Sequence, residues 1–179
     1  MVAPLYGYLE YKRFLKGELE TFDEYSKGNS FMVKSEYDGE KLNLLWEELG
    51  GNKENGKFIE KIAFDDFKRV FNGTKLKDID KPIIWKLKAK NNKENTDWQS
   101  LLILIDELVG LNFKRKSKED WMAYAKEIKK IIGRCFELPN GDIKEKLNKS
   151  FKKYWDKLKE NKDKRDSEII RLIDGVWNK

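Results

Sequence analysis

What most constrains this chain is a three-and-four-residue rhythm of large apolar side chains, clearest between residues 143 and 158. At a hundred degrees per residue, Ile143, Leu147, Ser150, Phe151, Tyr154, Trp155 and Leu158 fall within roughly 140° of one helix surface. Lys146, Lys149, Lys153 and Lys157 form a stripe on the far side. A strand would need alternation with a period of two, which is absent. The segment is therefore expected to be a helix, over about 143–161, stable only with its apolar face against other elements.

The same rhythm predicts further helices. One follows Pro4, through Leu5, Tyr8, Leu9, Leu19 and Phe22, and ends near Gly28. A short one spans Glu40 to Leu49, with Leu42, Leu45, Trp46 and Leu49 inward and Gly50-Gly51 as its stop. Phe64, Phe67, Val70 and Phe71 share a face that Asn72-Gly73 ends. A wide apolar face from Trp98 to Val109 marks a central helix, starting at Asp97 with Asn95 or Thr96 as its cap and ending at Gly110. Ser117 and Asp120 resemble a capping box for a helix running to about Gly133, with Trp121, Tyr124, Ala125, Ile128, Ile131 and Ile132 inside. A last short helix holds Ile169, Ile170, Leu172, Ile173, Val176 and Trp177.

Phe31-Met32-Val33 and Ile83 to Leu87 each read as a short strand or an ordered extended segment. Asn52–Lys57 and Lys88–Asn95 read as loops. Leu138 to Asp142 is a turn sequence. The expected fold is mainly α: a compact bundle of six to seven helices with at most a short strand or winged-helix-like element. It divides into an N-terminal helical part, 1–50, and a helical core, 58–179, with basic C-terminal helices.

The chain has no histidine and a single cysteine, Cys135. That removes Ser-His-Asp and Cys-His catalysis, histidine metal sites and internal disulfides. One thiol fits a reducing cytoplasm, here that of a bacterial host cell. No apolar run reaches the roughly 18 residues of a membrane span, and Met1 to Leu9 carries no secretory pattern. Lysine far exceeds arginine, the bias of an AT-rich bacterial or phage genome. No cofactor is implied.

Carboxylate chemistry remains open. Asp65-Asp66 is a paired acid, but neighbours on a helix point about a hundred degrees apart and do not converge on one atom. Glu127-Ile128-Lys129 has a nuclease-like spacing that is commonplace on helices. The six tryptophans offer stacking surfaces for bases, although Trp46, Trp98, Trp121 and Trp155 lie on apolar faces and read as core. Trp85 and Trp177 are left as possible exposed aromatics.

Charge is the better signal. The formal net charge of +6 comes from the last third, where residues 114–179 hold 20 Lys/Arg against 12 Asp/Glu. A basic end on a near-neutral body suggests an acidic partner, though lysine-rich helices also serve solubility. The candidate contacts are Lys114, Arg115, Lys116 and Lys118 before one helix, the stripe Lys146, Lys149, Lys153 and Lys157, and Lys164 and Arg165 beyond it. Such lysines neutralise successive phosphates without reading base edges.

The order Phe58-Ile59-Glu60-Lys61-Ile62, Phe64-Asp65-Asp66-Phe67, Phe71-Asn72-Gly73 and Pro82-Ile83-Ile84-Trp85 leads to the helix at 101–108. Phe136, Asn140-Gly141, the lysine-rich helix and Lys164-Arg165 before Ile169-Ile170 follow. This arrangement, over about residues 58–173, resembles small mobile-element proteins of the RteC-like regulator type. The resemblance implies a helical protein with a winged-helix-like C-terminal part that binds DNA. The expected function is a non-catalytic accessory protein of a phage or mobile element that binds nucleic acid, DNA or RNA. The alternative is an inhibitor of a host defence nuclease, of the anti-CRISPR type, that binds the effector or its protein–RNA complex.

Overall fold

Among the described residues, the apolar helix faces form the interior. The computed structural model describes residues 28–90, 92–110, 118–139, 143–160 and 168–178, with the backbone alone at 92–94, 118–124 and 154–160. Six α-helices occur among these residues: α1 (Gly39–Leu49), α2 (Phe64–Phe71), α3 (Trp98–Val109), α4 (Lys118–Cys135), α5 (Ile143–Glu160) and α6 (Glu168–Trp177). The strands are short: β1 (Ile83–Ile84), β2 (Lys88–Ala89), β3 (Asn92–Thr96) and β4 (Phe136–Glu137). A 3-10 turn covers Leu76–Asp78. The protein is mainly helical. The helix expected between Pro4 and Tyr25 lies outside the described residues, as do the Ser117 cap and positions 140–142 of the expected turn.

The central helix is α3. Trp98, Leu101, Leu102, Leu104, Ile105 and Leu108 are all buried, so it is covered on nearly every side. Around it α6 packs on α1 and α3, α1 on α2, and α4 on α5. One contiguous core runs from Phe31 to Val176 and includes residues on both sides of the 50–58 loop. Burying these side chains contributes on the order of 25 cal/mol per Å² of apolar surface, the main favourable term.

Helix ends follow local chemistry, with two departures from expectation. The N-cap of α3 is Asp97, one residue beyond the expected Asn95 or Thr96; its carboxylate accepts from the Ser100 N–H at 3.2 Å and from the Ser100 hydroxyl at 2.6 Å. Thr96 is held in β3 instead, as register partner of Lys88. The helix expected to stop at Gly133 continues to Cys135. Gly133 serves packing there: a Cβ on it would lie 2.9 Å from Cγ of Lys144, so the missing side chain lets α5 approach α4. At the C-terminus of α1, Gly50 takes the left-handed conformation (φ 89°), and the Gly51 N–H reaches back to the Trp46 carbonyl at 2.9 Å.

The region expected as a loop at 88–95 is occupied by two short strands, β2 and the first part of β3. β2 and β3 pair antiparallel, with a bulge absorbing the offset between the pairs Lys88–Thr96 and Ala89–Asn92. The hairpin's polar composition hid it, because nothing in Asn92–Thr96 shows an apolar alternation. Phe31 to Val33 is an extended segment, tied to the end of α2 by an isolated bridge between Met32 and Asn72 and by the Val33 N–H on the Phe71 carbonyl. Ser30 beside it is fully buried and satisfied: its hydroxyl donates to the Arg69 carbonyl at 2.7 Å.

Ile83–Ile84 does form a strand, and it pairs in parallel with Phe136–Glu137. On its other side Ile59 bridges Trp85 in antiparallel sense. Trp85, left open as an exposed aromatic, is 0% exposed, and its indole N–H donates to the Asp97 carbonyl at 2.8 Å. Trp177 remains 41% exposed, but its ring lies against Tyr37 at 5.4 Å and under the Lys41 ammonium at 3.8 Å. No helix among the described residues is long and apolar enough to cross a membrane.

Candidate nucleic-acid interface

One helical period produces both faces of α4. Ile128, Ile131, Ile132 and Cys135 are buried on one side. Lys126, Lys129, Lys130, Gly133 and Arg134 recur at steps of three and four residues, within roughly 140° of the opposite side. This outward stripe meets the first turns of α5 and the 3-10 turn. Together they line a concave groove of about 500 Å³ with six cations, Lys77, Lys126, Lys129, Lys130, Arg134 and Lys144. Leu76, Leu147, Asn148 and Gly133 complete the lining, which contains no carboxylate.

Two contacts set the shape of this groove. Arg134 donates from Nε to the Leu76 carbonyl at 2.9 Å, which pins the 3-10 turn and Lys77 beside α4. Lys144 lays its hydrocarbon stem over Gly133 at the edge of the groove. Like charges crowded into one concavity repel each other, and a polyanion relieves that repulsion. The groove has no aromatic ring among its lining residues. It offers backbone neutralisation and no stacking platform for unpaired bases.

The residues singled out from sequence are placed differently. Lys146, Lys149 and Lys153 are exposed on α5. At a hundred degrees per residue they occupy the shoulder away from Lys144 and Asn148, so the structure does not bring them into the groove. Lys149 also pairs with Glu145 one turn back, and that bond holds the Glu145 carboxyl below its ordinary range. Lys118 opens α4 and Lys157 lies in α5, with only their backbones described. Lys114, Arg115, Lys116, Lys164 and Arg165 lie outside the described residues.

The groove residues missed from sequence were Lys77, Lys126, Lys129, Lys130 and Arg134. Their signal was the spacing of cations opposite the isoleucines of α4. Glu127 interrupts that run in sequence but is absent from the groove lining. Lys77 had no local signal, since the tertiary fold alone brings the 3-10 turn to α4.

The candidate acids do not assemble a centre. Asp65 is exposed, and Asp66 pairs with Lys81 at 3.4 Å. Among the described residues no group of three Cys, Asp or Glu side chains is placed to hold a metal ion. Cys135 is buried, and burial pushes its thiol up to about 12, away from nucleophilic ionisation. No protein-family model, curated protein or solved structure matches this chain.

Proposed function

We propose that the protein is a non-catalytic nucleic-acid-binding protein, in the manner of a mobile-element accessory or regulator, that grips a sugar–phosphate backbone in the groove between α4 and α5. The observation that carries this is six cations around one concavity whose lining contains no acid. The lysines and arginine displace counterions condensed on the phosphates they neutralise, so affinity is gained from salt release. A lining poor in amides and aromatics favours duplex backbone over base-edge readout.

The test is fluorescence anisotropy of labelled duplex DNA, duplex RNA and single-stranded RNA, titrated at two salt concentrations. The expected result is duplex binding that weakens steeply with salt, with a log–log slope of about −0.9 for each phosphate engaged on B-DNA. Single strands should bind no more tightly than duplexes. Absence of binding to every probe at low salt would overturn the proposal and redirect the search to a protein or protein–RNA target.

A further inference from the structure

We infer that the molecule carries a second ligand site, of opposite character, which takes an organic cation with an apolar body. It lies where residues 58–60, β1 and β4 run side by side. The antiparallel bridge of Ile59 with Trp85 puts Glu60 opposite Ile84, and the Glu60 N–H donates to the Ile84 carbonyl at 3.0 Å. Ile84 is in turn the register partner of Glu137. Glu60, Ile84 and Glu137 thus form one row across three strands, and a row shares one face. The neighbouring row, Ile59 and Trp85, points the other way and is fully buried.

The outward row borders a groove of about 720 Å³, a volume in the range of small-ligand sites. Its apolar wall is Trp46, Ile62, Phe64, Pro82 and Ile84. The Trp46 and Phe64 rings stand 5.6 Å apart, and the Trp46 N–H is already given to the Ile62 carbonyl at 2.9 Å. The tryptophan therefore presents carbon surface to the groove.

The charges around this wall are unevenly matched. Lys61 pairs with Glu54, Lys81 with Asp66, and Asp80 with Arg69 at 3.9 Å. Glu60 and Glu137 have neither an ion pair nor a side-chain hydrogen bond with another described residue. Two strand spacings set their backbones roughly 10 Å apart, and the long side chains can lean over Ile84 from both sides. An ammonium or amidinium between them gains both carboxylates while its apolar body covers Ile84, Ile62 and the rings. A phosphate chain would be repelled here, so this site is independent of the nucleic-acid proposal.

The probe is phenethylammonium, with 2-phenylethanol and phenylacetate as neutral and anionic analogues, titrated into ¹⁵N-labelled full-length protein. Shifts are expected at the amides of Glu60, Ile84 and Glu137 and at the Trp46 indole. The alcohol should bind at least about ten-fold more weakly, and phenylacetate should leave these signals in place. The Glu60→Gln, Glu137→Gln double variant should lose the preference for the cation while keeping the rest of the spectrum. An unmoved row at millimolar amine, an equal response to the alcohol, or a preference that survives in the double variant would each overturn the inference. If the double variant fails to fold, the comparison of analogues on the unaltered protein decides alone.

Discussion

The aromatic region from residue 28 to 110 and the helical pair α4–α5 use the same apolar periodicity but treat polar side chains in opposite ways. In the first, polar groups are largely matched at home: Trp85 with the Asp97 carbonyl, Ser30 with the Arg69 carbonyl, Lys81 with Asp66 and Lys61 with Glu54. In the second, cations gather on a concave face without acids in its lining. A fold satisfied with itself needs no such concentration. The contrast separates a region whose packing centres on the buried Trp85 from one whose cations gather around a single groove.

The comparison breaks first if Trp85 proves dispensable. Trp85→Ala empties a fully buried site and removes the indole hydrogen bond to the Asp97 carbonyl, so a loss of roughly 3–5 kcal/mol is expected in urea denaturation. A loss under about 1 kcal/mol would mean that the aromatic region does not anchor the fold. The next effect belongs to the other region. Replacing Lys126, Lys129 and Lys130 together with alanine should lower duplex affinity on the order of 100-fold near 0.1 M salt and make the salt slope shallower by about three. Stability should move by no more than about 0.5 kcal/mol per position, because these lysines border solvent. Replacing Lys146, Lys149 and Lys153 should cost less than about ten-fold, since they face away from the groove and Lys149 already has Glu145. The reverse order of the two triple variants would move the interface to the outer shoulder of α5.

The smallest effect compares two buried acids, one in each region. Burial, followed by the nearby Glu107, raises Tyr37 to about 12, and burial raises Cys135 to about 12. Each folded group keeps its proton where the unfolded chain has lost it, so its contribution is intact below the ordinary value. It is lost as pH rises toward 12. Stability should therefore decline from about pH 9, where an ordinary thiol ionises, and more steeply from about pH 10, where an ordinary tyrosine does. Denaturation midpoints across that window should flatten in part for Cys135→Ala and in part for Tyr37→Phe. A profile unchanged in both would show that neither group is buried as described.

Most of the helical architecture was legible because burial obeys a single period. Leu42, Leu45 and Leu49, or Ile143, Leu147 and Phe151, show it in sequence and in space alike. What escaped was built by backbone pairing. β2–β3 has no apolar alternation, and the pairing of Ile83 with Phe136 joins distant residues that carry no mutual signal. The groove beside β1 and β4 belongs to this second kind, whereas the α4–α5 groove comes from helix packing. Charge pointed to the last third of the chain, which holds five of the six groove cations, but to the shoulder of α5 that faces away from that groove. The row of Glu60, Ile84 and Glu137 could not be read without knowing the register.

The parallel pairing of β1 with β4 also has a consequence in time. It closes about fifty residues of chain, from Ile83 to Phe136, with two register pairs. Loop-closure entropy rises only slowly with length, so the clasp costs little more than a shorter one would. Contacts of such separation nonetheless form late, after the intervening α3 and α4 have had ample opportunity to coil. A newly made or partly opened chain can therefore possess nearly all its helices and still lack the row of Glu60, Ile84 and Glu137. Occupancy of that row would report completed assembly and not helix content.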